Sequence, residues 1–165
     1  MREKTQPLVL PNAASEDVRL QNVDDANVAY RPDGVRFAYD SKTLNTRKSL
    51  AKNYQNMIND LGTEAATVHT RFPSAIVAFI VAVPKPCLGN HRANLTNALK
   101  RLSARGAANA EVHKAEVISL VVWDPVNGQV DPTWPQEESP LRIDSFLAQV
   151  EACYLDRFAG LPPHV

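Results

Sequence analysis

Hydrophobic residues recur along the chain in patterns that predict alternating helices and strands. The segment 74–84 is apolar on both faces, which is typical of a strand in the middle of a covered sheet. Before it, a helix is predicted over about 46–69, because apolar residues recur at helical spacing at Leu50, Tyr54, Met57, Ile58, Leu61, Ala65 and Val68. After it, the pattern predicts a helix over about 91–105, a buried strand over 117–123 and a final helix over about 145–158.

The N-terminal part is predicted to be an arm followed by a three-strand meander. Residues 1–17 are predicted to be irregular, because the first fifteen carry two prolines and no sustained period. Val18–Val23 is predicted as a first strand. Residues 25–42 are predicted as a β-hairpin, because Pro32-Asp33-Gly34 is a strong turn signal between two strand-favouring stretches. Residues 18–165 are predicted to form one α/β domain.

The predicted hairpin carries charged side chains on one face. Side chains alternate along a strand, so Asp40 and Lys42 are predicted to share a face. With a tight turn, the register places Asp25 beside Asp40, where two like charges roughly 5 Å apart repel each other. A divalent cation between them would neutralise this repulsion. A longer turn with a bulge brings Asp24 towards the same position instead. Asp25 is favoured, because Asp24 then falls on the core face.

Composition narrows the class of protein. With 165 residues, the chain can form one domain that buries about 70% of its unfolded surface. Cys87 and Cys153 lie far apart and show no zinc-ligand spacing. No N-terminal apolar run resembles a signal peptide, and the longest apolar stretch is about half a membrane span. We therefore expect a cytoplasmic protein that does not enter a membrane.

The charge of the chain is balanced overall but unevenly distributed. The formal net charge is zero. Residues 41–110 hold ten Lys or Arg and two acids, a net charge of +8, whereas residues 111–165 hold nine acids and three bases, a net charge of −6. A basic segment followed by an acidic one is typical of an enzyme that binds phosphates on one side of its surface. Ordinary solvated charge that happens to cluster is the alternative.

An acid at the head of one strand, a turn, and Asp-x-Lys in the next strand resemble the PD-(D/E)xK signature of the restriction-endonuclease-like superfamily. In this resemblance Asp25 takes the place of the first acid, Asp40 the second and Lys42 the lysine. The literal Pro32-Asp33 pair is assigned to the turn, because Asp33 is about seven residues from Asp40. The resemblance covers roughly residues 18–125, where a long helix and a buried strand follow in the order that this fold uses.

The resemblance implies a restriction-endonuclease-like fold, in which a mixed sheet is flanked by helices in three layers (α/β/α). Relatives usually carry a helix before the meander, and the sequence predicts none here. We therefore expect an N-terminus shortened relative to the family, which leaves open whether the chain is complete and active.

The resemblance also implies a Mg²⁺-dependent DNA endonuclease. Asp25, Asp40 and the carbonyl of Ser41 would hold Mg²⁺. Lys42 would orient the attacking water and stabilise the pentavalent phosphorus. Gln55, on the polar side of the following helix, is a further candidate for supporting the site or binding a phosphate.

The start of the long helix is the predicted DNA-binding segment. Its candidate contacts are Asn45, Arg47, Lys48 and Lys52, and the free backbone amides there also favour a phosphate. A homodimer is expected if both strands are cut.

Other interpretations of the same residues stay open. One is a catalytically inactive nuclease-fold module that binds DNA, and another is a small-molecule α/β enzyme. Asp40 and Lys42 could also form only a surface salt bridge, worth under about 1 kcal/mol. His69 is predicted to cap the end of its helix rather than to bind a ligand.

Overall fold

The computed structural model describes residues 8–11, 35–44, 47–106 and 111–159. The strands are Leu8–Pro11 (β1), Val35–Thr43 (β2), Ile76–Pro84 (β3) and Val117–Trp123 (β4). The helices are Arg47–Arg71 (α1), Lys85–Leu88 (α2), Arg92–Leu102 (α3) and Phe146–Phe158 (α4), with 3₁₀ turns at Gly89–His91 and Ile143–Ser145.

These strands form one mixed sheet in the order β1-β2-β3-β4. β2 pairs with β3 and β3 with β4 in parallel, whereas β1 runs antiparallel to β2. Parallel neighbours need a crossover, and α1 supplies the one between β2 and β3. The predicted α/β class is therefore confirmed as a mixed α/β structure, with a three-strand parallel portion flanked by helices.

β1 is the main departure from the predicted organisation. It lies within residues 1–17, which the sequence predicts to be irregular, and it pairs Leu8 with Tyr39 and Val9 with Ala38. Pro11 is tolerated because β1 lies at the edge of the described sheet and the register shifts there. β1 occupies the edge of β2 that the hairpin prediction assigns to residues 25–30. The predicted strand 18–23, residues 25–30 and the turn lie outside the described residues.

The other elements agree with the sequence pattern with one exception. α1, β3, β4 and α4 lie within two residues of their predicted bounds. The exception is the stretch between Pro84 and the helix predicted from about 91, where the pattern predicts no element and the structure has α2 and a 3₁₀ turn. Pro86 stands in the first turn of α2, where a helix tolerates proline because that N–H has no partner within the helix.

The two faces of the sheet pack against different helices. On one face, Ala38, Phe79 and Leu120 belong to the main core together with Leu61 of α1 and Leu99 of α3. On the other face, Ala78 and Val117 pack with Phe146 of α4, joined by the half-buried Phe37, Tyr39 and Ile80. Asp40 and Lys42 are in phase with Ala38 along β2, so they lie on the α1 side of the sheet.

The outer edge of β4 is covered by the segment 130–142. The N–H of Leu120 donates to the carbonyl of Leu141, and the N–H of Asp131 donates to the carbonyl of Val122. Arg142 fixes this segment, because its guanidinium donates to the carbonyls of Pro132 and Pro135, at 3.0 Å each, and to Asp144. The stretch 124–142, which shows no helical or strand period, is therefore ordered by backbone and arginine contacts.

No helix in the part of the chain that the structure describes has the length and apolar character needed to cross a membrane.

Candidate functional site

Asp40 and Lys42 form an ion pair on β2, on the face that packs under α1. Asp40 is buried, with 7% of its side chain exposed, and Lys42 is 26% exposed. The Nζ of Lys42 lies 2.7 Å from Oδ2 of Asp40. The other carboxylate oxygen, Oδ1, accepts a hydrogen bond from the N–H of Ser41 at 2.7 Å. The structure therefore brings together the acid and the lysine of the D-x-K motif, with the lysine reaching towards solvent.

A third charged residue, Glu64 of α1, completes this cluster. Its Oε1 lies 2.6 Å from Nζ of Lys42, so the ammonium group bridges two carboxylates. α1 follows β2 and returns across the sheet towards the start of β3, and Glu64 lies on the side of the helix that faces β2. We call Asp40, Lys42 and Glu64 the D-K-E cluster.

The surroundings of the D-K-E cluster shift two of its pKa values. Burial raises the pKa of Glu64, and the neighbouring charge of Asp40 adds to this, although the hydrogen bond from Lys42 opposes it. For Lys42, burial would lower the pKa, but the hydrogen bonds to Asp40 and Glu64 outweigh it, so the pKa lies above its ordinary value. Lys42 is therefore an ammonium group at neutral pH.

One oxygen of the D-K-E cluster is unsatisfied in the described structure. Oε2 of Glu64 is buried and has no hydrogen-bond partner among the described residues. A buried carboxylate oxygen without a partner costs free energy unless a proton, a cation or a donor satisfies it. The Glu64 side chain as a whole is 37% exposed, so the cluster lies near the surface although this oxygen is enclosed.

The two carboxylates of the cluster are oxygen ligands of the kind that Mg²⁺ uses. Within residues 8–11, 35–44, 47–106 and 111–159, no group of three or more His, Cys, Asp or Glu side chains could hold a metal. Mg²⁺, however, is commonly held by one or two carboxylates and keeps several of its waters. Asp40 and Glu64 meet this requirement, and the unpaired Oε2 of Glu64 is an oxygen ligand of the right chemistry.

Several of the predicted site residues cannot be placed at the cluster. Asp24, Asp25 and Asn45 lie outside the described residues. Arg47, Lys48 and Lys52 belong to the first two turns of α1, as predicted.

Gln55 is not brought to the D-K-E cluster. It is exposed on α1 and donates a hydrogen bond to Oδ1 of Asn59 at 3.2 Å. It precedes Glu64 by nine residues, which places it on the opposite side of the helix and roughly 13 Å away along the axis.

Glu64 is the residue that sequence analysis missed, although the sequence carries a signal for it. It appears there only as one of two acids in a basic block. On a helical wheel it follows Leu61 by three residues and precedes Val68 by four, so it interrupts the apolar stripe of α1. An acid in such a stripe needs a partner, and Lys42 is that partner.

A second charged cluster, which we call the Glu116 cluster, lies where the parallel strands β3 and β4 begin. Oε1 of Glu116 contacts Arg105 at 3.0 Å and Arg157 at 2.7 Å. Oε2 accepts from the N–H of Val77 at 2.7 Å and from Nε2 of His69 at 3.2 Å. Burial alone would raise the pKa of Glu116, but these hydrogen bonds and the nearby cations lower it to about 2.

The contacts of the Glu116 cluster stabilise the fold. Both oxygens of Glu116 have partners, so no atom of this carboxylate is left for a ligand. The predicted role of His69 as a cap of its own helix is wrong, because its Nδ1 bonds the carbonyl of Val112, at 2.9 Å, in a different segment. The physical reason is burial, because a fully enclosed imidazole must place both nitrogens against protein groups.

Comparison with known proteins identifies no relative: no protein-family model matches the chain, and no curated protein or solved structure matches it significantly. Function is therefore inferred from the D-K-E cluster, the fold and the sequence motif.

Proposed function

We propose that this chain is a Mg²⁺-dependent DNA endonuclease with a restriction-endonuclease-like fold, which hydrolyses phosphodiester bonds at the D-K-E cluster. The observation that supports this proposal is the pair of carboxylates, Asp40 and Glu64, placed around one lysine with a buried carboxylate oxygen left unpaired among the described residues.

Each residue of the cluster has a part in this proposal. Asp40, Glu64 and the carbonyl of Ser41 would hold Mg²⁺, whereas Asp25 lies outside the described residues and stays a sequence prediction. When bound, Mg²⁺ would acidify a water molecule and neutralise charge on the phosphate. Lys42 supplies a charged donor close to both acids, which can orient the attacking water and bind a phosphate oxygen.

The chain order of the elements also supports the proposal. The D-x-K motif lies in a strand that is followed by a long helix and then by a parallel, buried strand. This is the order that the sequence resemblance implies. The new feature is that the helix itself returns an acid, Glu64, to the motif.

DNA is the proposed substrate because the segment around the cluster carries a net positive charge. The segment that contains the lysine and α1 has a net charge of +8 over residues 41–110. Arg47, Lys48 and Lys52 lie at the end of α1 that follows β2 directly. These residues precede Glu64 by 12–17 residues, or roughly 18–26 Å along the helix axis, so they would hold the phosphate backbone away from the reacting groups. A homodimer is proposed for cutting both strands.

The proposal is tested by incubating supercoiled plasmid with the purified chain in Mg²⁺ and in EDTA. We expect nicked or linear DNA only with Mg²⁺. Asp40→Asn, Lys42→Ala and Glu64→Gln should each lower the cutting rate at least about 100-fold, because each removes a metal ligand or the charged donor. Glu137→Gln, which changes an exposed acid away from the cluster, is the matched control and should cut normally.

A catalytically inactive DNA-binding module is the second candidate. One observation favours it. Among the described side chains, only two carboxylates, Asp40 and Glu64, contribute to the D-K-E cluster, and both are already paired with Lys42. Salt-sensitive retardation of DNA in a gel without any cutting would support this second function and refute the first.

A further inference from the structure

The ammonium group of Lys42 lies where a cation between the two acids would lie. Its Nζ is 2.7 Å from Asp40 and 2.6 Å from Glu64, so it is in direct contact with both carboxylates. We propose that Lys42 occupies the cation position in the metal-free protein and that a divalent cation must displace it to bind. This inference rests on the proposed function for the identity of the cation.

The hydrogen bonds of the two carboxylates support this competition. Among the described residues, Asp40 has one oxygen bonded to Ser41 and the other to Lys42, and Glu64 has one oxygen bonded to Lys42. Only Oε2 of Glu64 lacks a partner there. A cation that takes one oxygen from each acid must therefore use an oxygen of Asp40 that is already bonded. Metal–oxygen bonds of Mg²⁺ are about 2.0–2.1 Å long, which leaves no room for the ammonium group in the same gap.

Displacement would place Lys42 where the proposed reaction uses it. Lysine carries its charge on a flexible four-carbon chain, and this side chain is already 26% exposed. Once released from the acids, the ammonium group can turn towards the solvent side of the cluster, where a phosphate would arrive. Binding of the cation and release of the lysine are then one event.

Lys42 should therefore weaken metal binding and, by contrast, increase the rate of cutting. Removing the ammonium group leaves two uncompensated carboxylates and one competitor fewer. Lys42→Met should therefore bind Mn²⁺, a spectroscopic substitute for Mg²⁺, about tenfold or more tightly than the natural chain, because a positive charge within about 4 Å of the ion is removed. A lysine that only supported the metal site would give weaker binding.

The experiment measures free Mn²⁺ by electron paramagnetic resonance during titration of the full chain. Lys42→Met is compared with the natural sequence and with Lys100→Met, which removes one positive charge from an exposed position on α3. We expect tighter binding only for Lys42→Met, and loss of this gain when Asp40→Asn is added. Equal or weaker binding by Lys42→Met, or an equal gain for Lys100→Met, overturns the inference.

A measurement on the natural chain covers the case in which Lys42→Met does not fold. The ¹⁵N resonance of the Lys42 ammonium group should be visible in the metal-free protein, because its hydrogen bonds slow exchange with water. Mg²⁺ titration should shift or remove this signal, and the ammonium signals of Lys85 and Lys114, which are paired with Asp131 and Glu111, should stay unchanged. A Lys42 signal that stays unchanged when Mg²⁺ saturates the chain refutes displacement, as does the absence of any Mg²⁺ or Mn²⁺ binding.

The two proposals fail in different ways. If Lys42→Met binds Mn²⁺ more tightly but the natural chain cuts no DNA, the displacement stands and the nuclease proposal fails. If the natural chain cuts DNA and Lys42→Met binds Mn²⁺ no more tightly, the nuclease proposal stands and the displacement fails.

Discussion

Replacing Glu116 by Gln should strongly destabilise the fold. This carboxylate is buried and accepts bonds from His69, Arg105, Arg157 and the N–H of Val77. Gln keeps the size of the side chain but removes its charge and one of its two acceptors. The substitution therefore leaves buried cations without a counter-ion and creates no cavity.

The burial of these contacts sets the size of the cost. Removing one partner of a buried ion pair typically costs about 3–5 kcal/mol. A pKa held at about 2 instead of 4.5 corresponds to about 3 kcal/mol of stability at neutral pH. We expect Glu116→Gln to lower the free energy of unfolding by about 3 kcal/mol, which is a large share of the 5–15 kcal/mol typical of domains.

The effect should depend on pH in a defined direction. The folded pKa of Glu116 lies below its unfolded value, so its contribution is complete above the unfolded pKa of about 4.5 and is lost as the pH falls towards about 2. The difference between the natural chain and Glu116→Gln should be largest at pH 7 and shrink between pH 4.5 and 2.

Urea unfolding followed by circular dichroism at pH 7, 5, 4 and 3 measures this difference. Glu137→Gln is the matched control, because it makes the same chemical change at an exposed position and should alter stability by less than about 0.5 kcal/mol. A loss below about 1 kcal/mol at pH 7, or a loss that stays constant down to pH 3, would refute our assignment of Glu116 as a charged, stabilising core residue.

Two further predictions concern the backbone and the cover of β4. Gly62→Ala should stabilise the chain by about 0.5–1 kcal/mol in thermal unfolding, because Gly62 is inside α1 and an added Cβ would meet its nearest neighbours at ordinary contact distances of 3.7 and 3.8 Å. Gly128→Ala, at a φ of +72°, should instead destabilise it by about 1 kcal/mol, and the opposite order would refute the assigned backbone conformations. Arg142→Met should expose the segment 130–142 to limited proteolysis and lower stability by about 1–3 kcal/mol, because two carbonyls lose a charged donor. An unchanged cleavage pattern would show that Arg142 does not hold this segment.

The elements that the sequence predicts well are those whose signal is local. α1 and α4 show helical spacing over three or more turns, and β3 and β4 are largely apolar runs of the length of a buried strand, interrupted in β4 by Ser119. β1 has no such signal, because it is four residues long, ends in Pro11 and gains its hydrogen bonds from a strand 24 or more residues later. Such a pairing depends on tertiary structure and not on the residues of β1 alone.

The residues of the candidate site also divide into those that a local sequence signal predicts and those that depend on tertiary structure. Asp40 and Lys42 are two residues apart on one strand, so alternation along the strand is enough to place them on one face. Glu64 reaches them only because α1 folds back over β2, and the spacing of α1 marks it merely as a misplaced acid. The partners of Glu116 come from four separate segments, which no local pattern connects.

One helix carries both Glu64 and His69. They are five residues, or about 7–8 Å, apart along α1, so one continuous helix holds both the acid of the candidate site and the His69 contacts near the starts of β3 and β4. Loss of the His69 contacts would let this helix shift and would weaken the contact between Glu64 and Lys42. Under the proposed function, substitution of residues such as Arg157, which contacts Glu116 and not the D-K-E cluster, should also lower activity. Variants of the D-K-E cluster would then be distinguished by an unchanged unfolding temperature.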